Sequence, residues 1–159
     1  MEPLIIAGTD ESPGVNLDKN SGKFLMFGKS FPEEVRRFFD PVLLWLEEYI
    51  KNPNEETVFE FRLEYYNSAT STMLLDIFYL LERIIENHNK KVKIIWNYLE
   101  EDDDMLETGK EYSEMINIPF EFKTIEDYEK PSNMEGFLFE KVGMNFIKLC
   151  IILIFLCKS

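Results

Sequence analysis

Hydrophobic and polar positions follow two different periods along the first 125 residues. Residues 58–63 alternate apolar with polar side chains, as a half-buried strand does, whereas residues 73–84 space their apolar side chains three and four apart, as one face of a helix does. Such segments occur in the order strand, strand, strand, helix, strand, helix, strand, helix, strand. This order predicts an α/β fold on one mixed sheet that is partly parallel. A turn-rich segment at residues 18–22 predicts an N-terminal hairpin of short strands.

The first helix contains a proline. We expect this helix to begin within residues 30–34, where Pro32 and two acidic residues suit a first turn, and to carry one apolar face as far as Ile50. Pro41 lies inside that pattern and lacks the N–H that an interior turn donates. The sequence therefore predicts either a kink at Pro41 or a restart of the helix with Asp40 as its cap.

Hydroxyl and amide side chains are concentrated between the strand at residues 58–63 and the next helix, in the segment Glu64-Tyr65-Tyr66-Asn67-Ser68-Ala69-Thr70-Ser71-Thr72. Their oxygens can accept hydrogen bonds from the unpaired N–H groups of a first helical turn, so capping is expected. One cap needs only one residue. The same place also suits a phosphoryl group, because the N–H donors and the helix dipole favour negative charge. Capping and regulation by phosphorylation both remain open from this local pattern.

Composition limits the possible functions. The 159 residues are 45% hydrophobic, which is enough for the core of one domain. Thirty acidic against seventeen basic residues give a formal net charge of −13, which disfavours nucleic-acid binding. The N-terminus is acidic and has too short an apolar run for a secretory signal, so we expect a cytoplasmic protein.

Catalytic motifs are weak in this sequence. The acidic run of residues 100–104 could attract a divalent metal, but it lacks the alternating acids and central glycine of an EF-hand loop and instead suits the start of a helix. His88 is the only histidine, and no Gly-x-Ser-x-Gly or phosphate-binding glycine loop is present. We therefore expect no cofactor, no metal and no enzymatic activity. A metal-dependent enzyme that uses residues 100–104 is the alternative.

The C-terminal extension, residues 129–159, differs from the rest of the chain. From Phe146 to Cys157 only Lys148 interrupts an apolar run, which is shorter than the ~20 residues that span a bilayer as a helix. Three alternatives remain for this segment: a membrane contact, a buried element or an aberrant extension. The membrane contact would make the protein a membrane-associated adaptor. We expect residues 1–128 to form one domain and residues 129–159 to be an addition to it.

Four segments that agree in order and spacing resemble the SiaC-type family of bacterial regulatory phosphoproteins: residues 1–9, 41–49, 52–68 and 101–106. The resemblance covers about residues 1–125. It implies a fold like that of STAS domains and a partner-switching role. In such a switch a serine/threonine kinase of the histidine-kinase-like ATPase class phosphorylates the protein, and a PP2C-type phosphatase reverses this. The unphosphorylated form binds and activates a diguanylate cyclase, which raises cyclic-di-GMP and promotes biofilm formation.

The resemblance also implies site residues. The phosphoacceptor of the family follows the Asn of a Tyr-x-Asn motif, and Ser68 holds that position here, where the family usually has Thr. Thr70 and Ser71 are the reserve candidates. Thr72 stands where the family tends to have Lys. The docking surface implied for a partner consists of Tyr65, Tyr66, Asn67 and Thr72.

Overall fold

The computed structural model describes residues 1–128, so the predicted C-terminal extension lies outside the described part of the chain. Six strands and three helices follow one another in the order that the sequence predicts. The strands are β1 (Leu4–Ile6), β2 (Gly14–Asp18), β3 (Lys23–Ser30), β4 (Glu56–Tyr66), β5 (Lys91–Leu99) and β6 (Phe120–Ile125). The helices are α1 (Val35–Tyr49), α2 (Ser68–His88) and α3 (Asp103–Met115).

All six strands belong to one mixed sheet, in which their spatial order equals their order in sequence. Strands β1, β2 and β3 are antiparallel neighbours, and β3, β4, β5 and β6 are parallel neighbours. The predicted N-terminal hairpin is confirmed, with Asp18 opposite Lys23. The predicted mixed α/β fold is confirmed as well.

The three helices cover the same face of the sheet. Each helix connects two parallel strands that are direct neighbours, and right-handed crossovers in one sequential direction place every helix on one side. Register puts Phe24 beside Phe59 and Phe61 beside Trp96, so these rings share a face. Each helix contributes a ring to this face in the pairs Phe24–Tyr49, Phe61–Phe78 and Trp96–Tyr112, whose centroids are 4.9, 5.3 and 5.7 Å apart.

The opposite face of the sheet carries charged pairs. Arg62 donates to Glu60 over 2.7 Å within β4, and Lys93 of β5 donates to Glu121 of β6 over 2.7 Å. The proximity of Lys93 and Lys123 lowers the pKa of the Glu121 carboxyl below its ordinary value. This division into an apolar and a charged face follows from the alternation of side chains along each strand.

Two details of the first helix differ from the sequence-based expectation. Helix α1 runs through Pro41 without a restart, because Phe39, Val42 and Leu46 anchor both sides of the proline in the core. Ser30, which was expected at the start of this helix, is the last residue of β3. The register shifts between Gly28 and Lys29, where Gly28 has φ +87°, and β3 continues far enough to pair Ser30 with Tyr66. Within residues 1–128 no helix is long and apolar enough to cross a membrane.

Candidate functional site

The start of α2 lies where the parallel strands β3 and β4 end. Ser30 and Tyr66 are register partners at these two ends, and the N–H of Asn67 donates to the carbonyl of Ser30 over 3.2 Å. Ligands of α/β sheets commonly bind at the carboxyl ends of the strands. The hydroxyl-rich segment singled out in the sequence therefore occupies a position where a site is expected.

Asn67 is the N-cap of α2. Its backbone is extended, and its Oδ1 accepts a hydrogen bond from the N–H of Thr70 over 2.9 Å. Its carbonyl accepts from the N–H of Ser71 over 3.0 Å. The expected capping is thus confirmed, and one residue provides it. This use of Oδ1 leaves the docking role of Asn67 a prediction.

Thr70 joins the first turn of α2 to the end of β3. Its side chain is fully buried, and its hydroxyl donates to the carbonyl oxygen of Ser30 over 2.8 Å. The Oγ atoms of Ser30 and Thr70 are 3.0 Å apart. Since the single hydroxyl proton of Thr70 points to that carbonyl, the Ser30 hydroxyl must be the donor between the two Oγ atoms. Thr70 is therefore bonded internally and closed to an outside enzyme.

Two further hydroxyls at this helix start have partners. The Oγ of Ser71 is half-buried and lies 2.5 Å from the hydroxyl of Tyr112 on α3. Thr72 is exposed, and its hydroxyl donates to the carbonyl of Ser68 over 3.3 Å. The two reserve acceptor positions, Thr70 and Ser71, are thus both used in packing. Thr72 remains accessible one turn after Ser68.

Ser68 is the first residue of α2 and is exposed. Within the described part of the chain its hydroxyl forms no hydrogen bond, and no acceptor pairs with the N–H groups of Ser68 and Ala69. The first turn carries no acidic residue. An anionic group on Ser68 would therefore meet open N–H donors and the positive end of the helix dipole.

Tyr65 and Tyr66 face opposite ways, as successive strand residues do. Tyr65 is 54% exposed and packs edge-on against Phe31, with ring centroids 5.6 Å apart. The ring of Tyr66 points inward, 6.2 Å from that of Trp96. Tyr65 is thus exposed and Tyr66 half-buried, and the docking role of both residues stays a prediction.

The hydroxyl of Tyr66 is buried. It lies near the hydroxyls of Tyr112 and Thr108, yet no hydrogen bond of ordinary length and angle joins it to a described residue. Burial raises the pKa of Tyr66 far above its ordinary value, and the neighbouring Tyr112 adds to this effect. Burial also raises the pKa of Tyr112, which accordingly remains neutral and able to donate at physiological pH.

Ser30 is a site residue that sequence reasoning missed. The residues that follow it, Pro32 and two acids, favour a helix start in the sequence. A glycine inside an apolar strand segment is a signal of a bulge, and Gly28 could have indicated that the strand extends beyond it. The contact with Thr70 joins residues forty positions apart, which no local pattern shows.

The acidic run of residues 100–104 forms a helix start. Asp102 is the N-cap of α3, and its Oδ1 accepts from the N–H of Met105 over 2.9 Å. Asp103 and Asp104 occupy the first turn, where they complement the helix dipole. Among residues 1–128 no three His, Cys, Asp or Glu side chains are grouped so that they could hold a metal ion. Capping thus accounts for the residues that the metal-dependent alternative would use.

An α/β domain that exposes a serine at the start of a helix is suited to control by phosphorylation, because an added phosphate acts strongly on a helix terminus. The model of the SiaC family of regulatory phosphoproteins matches residues 6–125 of this chain. The chain belongs to that family. The family resemblance inferred from the sequence is therefore confirmed.

Several similar proteins are from Pseudomonas aeruginosa. An uncharacterised protein of strain UCBPP-PA14 is 28% identical over 120 residues, which are 76% of this chain and 94% of the relative. The crystal structure of apo-SiaC superposes with a TM-score of 0.70 at 27% identity and covers 78% of this chain and 100% of SiaC. A chain from the complex of the diguanylate cyclase SiaD with its activator SiaC has a TM-score of 0.72 at 27% identity, covering 77% of this chain and 99% of its own.

Proposed function

We propose that this protein is a non-enzymatic switch in which phosphorylation of Ser68 controls binding to an effector, and that the effector of the unphosphorylated form is a diguanylate cyclase. Membership of a regulatory phosphoprotein family and likeness to a cyclase activator support the effector class. The observation that supports Ser68 most directly is the contrast among the hydroxyls of the first turn. Ser68 is exposed without a hydrogen bond in the described part of the chain, whereas Thr70 and Ser71 are bonded internally.

The chemistry at Ser68 is a phosphoryl transfer. The Ser68 Oγ forms a bond to the γ-phosphorus of ATP, the bridging bond between the γ-phosphorus and the oxygen of ADP breaks, and a base of the kinase takes the hydroxyl proton. The product carries about −1.5 to −2 charge units at neutral pH. The open N–H groups of Ser68 and Ala69 would stabilise this charge.

The consequence for binding is local. Against a net charge of −13 the added charge changes the overall field little, so it must act on the surface around Ser68. Tyr65 and Thr72 are exposed on either side of Ser68 in sequence. A doubly charged group between them adds volume and repulsion to any interface that includes these side chains. The phosphorylated form is then the form that releases the effector.

The cycle requires two further partners. A serine/threonine kinase of the histidine-kinase-like ATPase class adds the phosphate, and a PP2C-type phosphatase removes it. We propose the cytoplasm as the compartment of this cycle. In this proposal residues 1–128 are the regulatory domain, because the family match covers residues 6–125.

The phosphoacceptor is tested with the full-length chain and a lysate of its native host supplied with γ-labelled ATP. We expect the wild type to incorporate label and Ser68→Ala to incorporate none. Ser113→Ala is the matched control, because Ser113 is a helix serine whose hydroxyl is bonded within α3. Undiminished labelling of Ser68→Ala would exclude Ser68 as the acceptor.

The effector is tested with Ser68→Ala and Ser68→Asp as baits in the same lysate, compared by quantitative mass spectrometry. We expect a diguanylate cyclase to be enriched on Ser68→Ala and depleted on Ser68→Asp. Ser68→Asn separates charge from size, because its side chain has the shape of Asp without the charge, and it should retain the cyclase. Equal recovery of a cyclase on the Ala and Asp baits would contradict control by charge at Ser68.

A further inference from the structure

The residues that flank Ser68 are tied to the end of the neighbouring strand. We propose that Ser30 and Thr70 are positioning residues that hold the Ser68 hydroxyl in the one geometry that its kinase accepts; this inference rests on the function proposed above. The kinase would accordingly recognise the folded end of the sheet and not an extended segment.

The attachment is made on both sides of Ser68. On the N-terminal side the N–H of Asn67 donates to the carbonyl of Ser30 over 3.2 Å. On the C-terminal side the hydroxyl of Thr70 donates to the same carbonyl over 2.8 Å. The Asn67 side chain also bonds to Thr70 directly, because its Oδ1 accepts from the N–H of Thr70. Ser68 and Ala69 thus lie between two residues, Asn67 and Thr70, that are both hydrogen-bonded to the end of β3.

The two buried hydroxyls strengthen each other. The Ser30 hydroxyl donates to the Thr70 Oγ over 3.0 Å, and the Thr70 hydroxyl returns its proton to the Ser30 carbonyl. Both side chains are fully buried, so water does not compete for these bonds. Loss of the Thr70 hydroxyl leaves the Ser30 hydroxyl without its acceptor in the interior, where no water replaces it. Loss of the Ser30 hydroxyl removes a donor to the Thr70 Oγ, while the bond from the Thr70 hydroxyl to the Ser30 carbonyl stays.

This arrangement matters for phosphoryl transfer because the reaction depends on position more than on covalent help from the protein. The attacking oxygen must approach in line with the leaving group, and a displacement of about 1 Å can cost about a hundredfold in rate. The hydrogen bonds from Asn67 and Thr70 to the Ser30 carbonyl set where the backbone of Ser68 lies, while its side chain stays exposed. Weakening these bonds should therefore reduce the rate of transfer at saturation more than the affinity for the kinase.

The test uses the full-length chain and labelled ATP in lysate of the native host, with initial rates measured over a range of chain concentrations. Thr70→Val removes the hydroxyl at nearly constant volume, and Ser30→Ala removes the donor on the other side. We expect Thr70→Val to lower the maximal rate by about ten- to a hundredfold, with the half-saturating concentration changed less than about threefold. Ser30→Ala keeps the bond from Thr70 to the Ser30 carbonyl, so it should lower the maximal rate by a smaller factor. Thr70→Ser, which restores the hydroxyl, should recover most of the rate.

Thr57→Val is the matched control. Thr57 is also a fully buried threonine bonded to another hydroxyl, that of Tyr49 at 2.7 Å. It lies at the opposite end of β4, about 30 Å from Tyr66 along the strand. This variant should lose comparable stability and keep the wild-type rate. Equal loss of rate in Thr57→Val and Thr70→Val would attribute the effect to general destabilisation and overturn the proposal.

The remaining outcomes separate the two proposals. Wild-type labelling of Thr70→Val and Ser30→Ala, together with no labelling of Ser68→Ala, would overturn the positioning role and leave the switch intact. Labelling of Ser68→Ala would overturn the switch itself. A synthetic peptide of residues 56–76 labelled as fast as the folded chain would also contradict the positioning role. If Thr70→Val does not fold, the labelling rates of Ser30→Ala and of the peptide, each compared with the wild type, test the proposal.

Discussion

The three hydroxyl side chains at the start of α2 have similar chemistry, but their surroundings give them different accessibility. Ser68, Thr70 and Ser71 each offer one hydroxyl within four positions of the sequence. Thr70 is bonded inside the sheet, Ser71 is bonded to α3, and Ser68 is left exposed. A kinase can therefore distinguish them by access alone.

A prediction at the residue scale concerns alkaline pH. The pKa of Tyr66 is raised by burial, so its neutral form stabilises the fold below the ordinary pKa of tyrosine, near 10, and this contribution is lost as the pH rises through the folded value. We expect urea stability to fall above about pH 10, and to fall less steeply in Tyr66→Phe. Urea midpoints at several pH values measure both.

Tyr65→Phe is the control for that measurement, because Tyr65 is the exposed neighbour of Tyr66. It should follow the wild-type profile. At neutral pH Tyr66→Phe should change stability by less than about 1 kcal/mol, since the hydroxyl that it removes is buried without a well-formed bond to any residue among 1–128. A large loss at neutral pH would show that this hydroxyl has a strong partner.

The two ends of α2 show how an element is delimited by side chains. Asn67 caps its start, and Asn89, in the left-handed region with φ 52°, terminates it after His88. Between them, buried residues at helical spacing hold the helix on the sheet. Helix α2 thus begins at Ser68 because the side chain of Asn67 caps its first turn.

Removing that cap should be measurable. We expect Asn67→Ala to lower the free energy of unfolding by about 0.5–2 kcal/mol, because the N–H of Thr70 loses its acceptor. Urea denaturation followed by circular dichroism gives the difference. Asn67→Asp keeps the acceptor and adds charge at the positive end of the helix, so it should stay close to the wild type. Equal destabilisation by both changes would refute the capping role.

Pro41 gives a second prediction for an element. It is exposed inside α1, and it offers no N–H to the carbonyl of Arg37 one turn earlier. We expect Pro41→Ala to raise the free energy of unfolding by about 1–3 kcal/mol, because an interior helical bond is restored. Pro119→Ala, an exposed proline outside the helices, should have an effect below about 1 kcal/mol. A destabilised Pro41→Ala would mean that the proline fits this helix better than alanine.

At the scale of the whole molecule, charge sets the response to salt. A net charge of −13 produces repulsion between acidic side chains that favours expansion. Raising the ionic strength from about 0.01 M to about 0.1 M shortens the Debye length from ~30 Å to ~10 Å, so the urea midpoint should increase. NaCl and KCl should act equally if screening is the cause. An unchanged or falling midpoint would show that the ion pairs on the sheet outweigh the repulsion.

The order of elements was largely determined by the sequence, because the two hydrophobic periods are local signals. The hairpin at Asp18–Lys23, the alternation in β4 and the helical spacing in α2 each need only a short window. The family resemblance also rests on order and spacing along the chain, and it led to Ser68. The assignment of Ser30 to a helix start was wrong, and of the two alternatives for Pro41 the restart of the helix was wrong, since both depend on neighbours that are remote in sequence.

The sequence by itself therefore determined which segments are strands or helices, the position of the hydroxyl-rich segment, and the family. Only the tertiary structure decided which hydroxyls of that segment are closed, because burial and pairing with Ser30 or Tyr112 arise from contacts between residues about forty positions apart. It also decided that Tyr66 turns inward while Tyr65 stays exposed. Local pattern specifies elements through short-range periodicity, whereas accessibility of a single side chain depends on what packs against it from elsewhere in the chain.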